Sequence, residues 1–246
     1  TRRADDVIEA RKVDGAWELS DNLMELRLRP LEPLRKLVLT VDAGLRGVNG
    51  SSLAKEYISQ LETRDLQASI GFASRGSLLP TRLAEGLPVI ALNVDKVNVE
   101  FFRIKPQALP AFLSHWGRGS NLDSWESREL LPMAELVYSG RFDLNPARNT
   151  RETLLLPIAG LEPFKQPGVY LAVMRQAGTY NYSQPATLFT LSDIGLSAHR
   201  YRQRLDVFTQ ALDGGKAMDD VQLQLLDSNG RVLGEARTDG AGHAEL

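Results

Sequence analysis

Along most of this chain, apolar residues either alternate with polar ones or form short runs. Leu26 and Leu28 alternate with charged residues, and residues 37–41 form a compact run rich in β-branched side chains. Both patterns predict β-strands, because successive side chains of a strand point to opposite faces. Many short strands with turn signals between them predict antiparallel β-sandwiches. Further strands are predicted at residues 88–94, 97–104, 154–157, 169–174, 187–191, 205–210, 221–226 and 232–236.

Two turns are distinctive enough to predict which strands pair. Asp95-Lys96 joins the runs 88–94 and 97–104, and this spacing predicts a tight hairpin. Asn229-Gly230 separates the runs 221–226 and 232–236. It is a strong two-residue turn signal, because both residue types tolerate a positive φ.

The segment between Pro106 and Tyr138 has a helical rather than a strand period. A second helix is predicted near Asp123, which can cap it with Glu126 three residues on, and Pro132 should kink or divide that helix. The first helix has an apolar stripe at i, i+3, i+4 and i+7, formed by Leu109, Phe112, Leu113 and Trp116. The later face of the second helix is formed by Leu130, Met133, Ala134 and Val137.

Helices that interrupt a run of strands predict an insertion, about residues 107–139, in one β-sandwich. We place domain boundaries near residues 66 and 193, where strand clusters end without a long Gly/Ser linker. The segment 194–246 supplies about four strands where a complete sandwich has about seven, so we expect it to be incomplete and the least stable part. Its exposed apolar residues should include Val207, Leu223, Leu225 and Val232 or their neighbours.

Charge and cysteine content exclude several classes of function. The 246 residues carry a net charge of −2, which does not favour nucleic-acid binding, and the basic cluster at residues 199–204 is best interpreted as a solvated strand face. Cysteine is absent, so disulfides, thiolate metal sites and cysteine nucleophiles are absent too. No apolar run approaches the roughly 20 residues of a membrane helix, and the charged start is not a signal peptide.

The residues able to do chemistry form no recognisable catalytic, cofactor-binding or metal-binding site. His115, His199 and His243 lack metal-ligand spacing, and the G-x-S-x-G motif of a serine hydrolase is absent. Residues 117–120 resemble a glycine-rich phosphate loop, but no Lys-Ser/Thr follows. The residues alone therefore predict a multi-domain β protein without catalysis.

Paired acidic and aromatic residues leave two binding hypotheses open. Neighbouring residues of a strand point to opposite faces, so neither Asp5-Asp6 nor Asp219-Asp220 forms a shared carboxylate site. Calcium bound by interdomain turns is an alternative. Tyr180 and Tyr182, spaced by two, are predicted to share one sheet face, where they cover a domain edge or form a recognition platform for a peptide or glycan.

Five long segments resemble the N-terminal part of enterobacterial alpha-2-macroglobulins. Residues 71–80 read GFASRGSLLP, and residues 186–201 read ATLFTLSDIGLSAHRY at a junction between two macroglobulin-like domains. The other matching segments are residues 12–22, 140–151 and 205–212. The resemblance implies an Ig-like domain at 1–66 whose start is missing, a macroglobulin-like domain at 67–193 with the helical insertion, and the first strands of a further macroglobulin-like domain at 194–246.

The resemblance also implies a function for the parent protein. Members of this family are periplasmic, broad-spectrum endopeptidase inhibitors, anchored to the inner membrane by a lipidated N-terminal cysteine. Cleavage of a bait region triggers a rearrangement, and a Cys-Glu-Gln thioester then couples to the protease. With no cysteine here, the lipid anchor and thioester are expected outside this chain, as is the bait region. Expected partners are proteases, through other parts of the parent, and a periplasmic peptidoglycan synthase.

Two other classes of protein remain as alternatives at this stage. Stacked β-sandwiches also build adhesin-type or periplasmic binding modules, and a glycan-processing accessory domain is a third interpretation. A bait region and thioester elsewhere in the parent gene would select the inhibitor, whereas a sortase or autotransporter signal would select the adhesin.

Overall fold

The computed structural model describes residues 16–21, 25–29, 31–47, 50–73, 77–79, 86–116 and 119–246. The chain forms two compact units, Thr1–Leu66 and Gln67–Leu246. Whether residues 66 and 193 bound independently folding domains stays a prediction.

The first unit contains two described antiparallel hairpins. Strand β1 (Ala16–Leu19) pairs with β2 (Leu26–Arg29), and β3 (Lys36–Val41) pairs with β4 (Tyr57–Glu62). The compact run 37–41 is confirmed as β3, in which Leu37, Leu39 and Val41 are half-buried and the intervening residues are exposed. Strand β2 confirms the strand predicted around Leu26 and Leu28. Residues 22–24 lie outside the described residues.

The second unit contains two helices and the remaining strands. The first of these strands, in chain order, are β5 (Ser69–Phe72), β6 (Ser77–Leu79), β7 (Leu87–Leu92) and β8 (Lys96–Ile104). The helical region and the strands around it are α1 (Leu109–Trp116), β9 (Asn121–Asp123), α2 (Ser124–Leu130), β10 (Ala134–Asp143), β11 (Glu152–Leu156), β12 (Gly168–Gln176) and β13 (Ser183–Leu191). The last strands are β14 (Ile194–Arg200), β15 (Leu205–Ala211), β16 (Gln222–Leu226), β17 (Val232–Arg237) and β18 (His243–Glu245).

Two facing sheets enclose the main core of residues 67–193. The larger has the order β10-β8-β12-β13-β6, with β9 also paired to β13, and the smaller has the order β11-β7-β5. Between them Phe101 packs edge-on against Phe164 with ring centroids 4.9 Å apart, and Tyr170 stacks on Phe189 at 5.4 Å. The predicted fold class, mainly β with antiparallel sandwiches and a small helical region, is confirmed.

The helices cover the outer face of the larger sheet, so strands β8 and β12 are buried on both faces. Phe101 points into the core between the sheets, whereas its neighbour Phe102 packs with Phe112 and Trp116 of α1. In β12, Tyr170 through Met174 are all buried. Burial on both faces explains why β12 reads as a continuous apolar run. Strand β8 alternates from Val97 to Phe101 and has adjacent buried apolar residues only at Phe101 and Phe102.

The predicted hairpin at Asp95-Lys96 is wrong. Strand β7 pairs with β5 and β11, whereas β8 pairs with β10 and β12 in the other sheet. Val89 and Val99 are fully buried in the same core. The two strands therefore face each other across the core, and the short connection carries the chain from one sheet to the other.

The predicted helical region is present, but it is shorter than predicted. Helix α2 has the predicted capping box of Asp123 and Glu126. It ends at Leu130, and Pro132 lies in a separate 3-10 turn, consistent with its missing N–H donor. Ala134 and Val137 belong to strand β10, not to a helical face, so the helices end at Met133 instead of continuing toward 139.

Residues 194–246 form a smaller pair of sheets. Strands β14-β15-β18 make one sheet and the β16-β17 hairpin the other. Val207, Leu223 and Ala244 are buried between them, so the expected exposure of Val207 and Leu223 is wrong. Leu225 is 37% and Val232 45% exposed, as expected.

The β16-β17 hairpin is confirmed, but its turn is longer than two residues. Gly230 N–H donates to the Asp227 carbonyl at 3.0 Å, and Asp227 N–H donates to the Arg231 carbonyl at 2.9 Å. Gly230 has φ +82°, while Asn229 does not have a positive φ. Asn229 and Gly230 are thus part of a three-residue loop, residues 228–230. In such a loop a type I turn is followed by a glycine in the left-handed conformation.

Candidate functional site

The structure brings two of the three histidines to one sheet face. His199 on β14 and His243 on β18 lie on either side of Phe208, with ring centroids 5.9 Å and 4.8 Å from it. His115 is exposed on α1, where its Nδ1 lies 2.7 Å from the Ala111 carbonyl oxygen. Within the described residues, no cluster of His, Asp and Glu could hold a metal ion.

His243 belongs to a polar cluster that the sequence did not predict. Its Nε2 lies 3.0 Å from Oδ1 of Asp206, whose side chain is 10% exposed, and Arg204 Nε lies 3.2 Å from the other carboxylate oxygen. His243 and Asp206 are 37 residues apart in sequence, so no local spacing pattern could reveal the pair.

A carboxylate–imidazole pair orients the base in hydrolytic triads, but it needs a nucleophile. Thr209, on the same strand as Asp206, instead donates its hydroxyl to the carbonyls of Met218 (3.0 Å) and Gly242 (3.3 Å). The Asp206–His243 pair joins strand β15 to strand β18 and satisfies a buried carboxylate. Its geometry supports structural stabilisation rather than hydrolysis.

Three acidic residues in the turns of the last segment, Asp219, Asp220 and Asp239, have structural partners. Asp219 accepts the Asp220 N–H at 2.8 Å, and Asp220 pairs with Arg237 at 2.6 Å. Asp239 accepts N–H bonds from Ala241 and His243, each at 2.9 Å, and these bonds hold the pKa of its carboxyl below the usual range. Asp5-Asp6 lies outside the described residues.

The tyrosines divide into one buried residue and several exposed ones. Tyr170 is fully buried, and its hydroxyl lies 2.9 Å and 2.8 Å from the carbonyl oxygens of Pro163 and Gln166. Burial raises the pKa of Tyr170, while nearby Arg103 opposes that shift. Tyr180 and Tyr182 lie in the loop before β13, so the inference that they share a sheet face is wrong. They are 81% and 61% exposed, and neither covers a domain edge.

The basic cluster spans the end of β14 and the exposed turn after it, so the predicted solvated strand face is confirmed for His199 and Arg200 but is wrong for residues 201–204. Arg200 and Arg202 are exposed there, and Arg204 lies 5.0 Å from the Tyr201 ring centre and pairs with Asp206. Of the glycine-rich segment 117–120, the structure describes Gly119 and Ser120, which lie between α1 and β9.

Two concave surfaces lie among the described residues. One, of about 350 Å³, lies between α1 and the β16-β17 hairpin and is lined by Leu109, Pro110, Leu113, Gln224, Leu226, Asp227 and Ser228. The other, of about 230 Å³, is lined by Ile70, Gly71, Phe72, Ser120, Asn121, Pro185 and Ala186. Both contain apolar residues and backbone or amide groups, which suits packing of protein segments.

Family models match the chain in consecutive order. The bacterial alpha-2-macroglobulin MG1 domain matches residues 5–65, the MG2 domain residues 71–189 and the MG3 domain residues 191–246. The crystal structure of native alpha-2-macroglobulin from Escherichia coli spanning domains MG0-NIE-MG1 is 58% identical and has a TM-score of 0.65. That alignment covers 97% of this chain and 76% of the other. This chain belongs to the bacterial alpha-2-macroglobulins.

The family relationship extends to much longer proteins. Alpha-2-macroglobulin of Escherichia coli K12 is 59% identical over 235 residues, which are 96% of this chain and 14% of that protein. The structure of trypsin-activated alpha-2-macroglobulin from Escherichia coli is 60% identical, with a TM-score of 0.65, over 72% of this chain and 12% of the other. This chain therefore comprises N-terminal macroglobulin domains of an alpha-2-macroglobulin homologue. No described helix is long and apolar enough to cross a membrane.

Proposed function

We propose that this chain forms the structural N-terminal domains of a bacterial alpha-2-macroglobulin that traps endopeptidases. The observation that carries the proposal is the ordered match of MG1, MG2 and MG3 models from residue 5 to residue 246. The trypsin-activated state of the Escherichia coli relative supports proteases as partners of the parent. The chain acts as a non-catalytic scaffold.

The proposed division of labour places the trapping chemistry in other parts of the parent. The family resemblance implies a bait region and a thioester, and a thioester requires a cysteine. This chain has none. The contacts of Asp206, His243 and Thr209 likewise support structural roles. What the chain contributes is rigid spacing between the parts that flank it.

Packing supports the scaffold role. Strands β8 and β12 are buried on both faces, which gives residues 67–193 a core on each side of one sheet. Strand β13 ends at Leu191 and β14 begins at Ile194, so the connection to the next segment is short. A connection this short fixes the distance between the two segments.

Family resemblance alone supports the remaining parts of the proposal. They are a periplasmic location, an inner-membrane lipid anchor supplied by the parent, and contact with a periplasmic peptidoglycan synthase. Fractionating cells that express the parent would test the location: recovery in the cytoplasm would contradict it.

Trypsin inhibition tests the division of labour. The intact parent and this isolated chain are each incubated with trypsin at a stoichiometric ratio, and the remaining activity is measured on a large protein substrate. We expect the parent to suppress cleavage and the isolated chain to leave it unchanged. Suppression by the isolated chain would overturn the scaffold assignment, and an inactive parent would overturn the trapping function.

A further inference from the structure

Helix α1 has two apolar faces with different neighbours. Phe112 is fully buried and Trp116 is 7% exposed, and both pack on the outer face of the larger sheet. Leu113 is 45% exposed, although its sequence position predicts a core residue. Together with Leu109 and Pro110 it lines the groove of about 350 Å³. One face of the helix thus packs on the larger sheet, and the other face lines the groove.

The opposite wall of this groove is the turn of the β16-β17 hairpin. Leu226, Asp227 and Ser228 line it. A Cβ placed on Gly230 would lie 3.7 Å from Cγ of Pro110 and 3.9 Å from the carbonyl oxygen of Gln107. The turn therefore approaches the start of α1 so closely that a methyl group at residue 230 would fill the space between them.

The turn is rigid enough to hold such a contact. Oδ1 of Asp227 accepts the N–H groups of Asn229 and Arg231, each at 2.9 Å. Its other carboxylate oxygen lies 3.5 Å from Nε of Arg231. These bonds add to the two backbone bonds that close the loop. Little conformational freedom remains to be lost when the turn packs on the helix.

A second contact joins the same two segments where the chain passes between them. Ser192 Oγ accepts the Ile194 N–H at 3.0 Å, and Leu212 N–H donates to the Asp193 carbonyl at 2.9 Å. A connection of this kind fixes where residues 67–193 and 194–246 meet, but it does not fix the angle between them. A few loop residues can absorb the φ/ψ change of a hinge motion. The contact at the hairpin turn would fix the angle.

We propose that α1 and the β16-β17 turn form a latch that sets the angle of residues 194–246 against residues 67–193, with the hinge at Ser192–Asp193. Leu113 and Leu226, which is 38% exposed, are only partly covered, so the contact is small enough to open. Helix α1 then limits the rotation of residues 194–246, in addition to burying the outer face of the larger sheet. The proposal does not depend on protease trapping.

Distance measurements between two labels test the latch. Because the chain has no cysteine, Ser139→Cys and Ser197→Cys place one spin label on an exposed position of each segment. Pulsed electron paramagnetic resonance then gives the distance distribution. In this labelled background, Leu113→Asp or Leu226→Asp puts a charge into the groove. Leu155→Asp, at a 54% exposed leucine of β11, is the matched control.

We expect one narrow distance peak in the unsubstituted and Leu155→Asp chains. Leu113→Asp and Leu226→Asp should broaden it and shift it, with an unchanged circular dichroism spectrum because both leucines are partly exposed. A broad distribution in the unsubstituted chain, or equal widths in the groove variants and the control, would overturn the latch.

Discussion

Residues 67–193 and 194–246 are both built mainly from antiparallel strands, but they bury them differently. In the first region a central sheet is covered by a second sheet on one face and by helices on the other. In the second region the β14-β15-β18 sheet meets only the β16-β17 hairpin, and Leu196 of β14 is 59% exposed. The size of the core therefore depends on how many faces of the central sheet are covered by other elements, and less on the strands themselves.

The same contrast appears within single strands. Strand β12 buries five consecutive residues from Tyr170 to Met174, whereas β15 buries Asp206 and Thr209 beside Val207. Buried polar groups need hydrogen-bond partners, and here they are His243 and backbone carbonyls. The first region is therefore stabilised chiefly by apolar burial, and the second depends more on specific polar contacts.

The largest effect is expected where the helices cover the sheet. Trp116→Ala should lower the free energy of unfolding by about 3–5 kcal/mol, because it leaves a cavity beside Phe102 and Phe112. Urea denaturation followed by circular dichroism measures this value.

Leu113→Ala is the matched control on the same helix. Leu113 is 45% exposed, so the change should cost less than about 1 kcal/mol. If Trp116→Ala cost no more than Leu113→Ala, the helix would not be part of the core, and α1 would be a better candidate for binding a partner.

A smaller difference is expected between identical substitutions in the two regions. Leu171 is fully buried and Leu223 is 8% exposed. Leu171→Ala should cost about 3–5 kcal/mol, and Leu223→Ala about 2 kcal/mol, because the neighbours of a small core can relax into the space. Equal losses, or a larger loss for Leu223→Ala, would contradict the contrast between the cores.

Local patterns predicted most of the elements. A compact β-branched run located β3, capping residues located the start of α2, and Asn229-Gly230 identified the last hairpin. These features depend on residues close in sequence, which is the range that periodicity and turn chemistry describe.

Relations between distant residues were not predictable in this way. The runs that became β7 and β8 have the same pattern whether they pair or face each other, so pairing could not be inferred. Leu113 matched a core stripe, yet its neighbour is a hairpin turn more than 100 residues later. The Asp206–His243 pair depends on strand register in the same way.

Native-state hydrogen exchange tests most directly whether the scaffold's stability is concentrated in residues 67–193. Opening of a strand exposes its amides, and the free energy of opening rises with the contacts that must break. Amides of residues 205–236 should exchange well before those of residues 88–104, whose strands β7 and β8 enclose the main core. Equal protection of the two segments in a monomer would contradict this account, and would mean that residues 194–246 form a complete small fold.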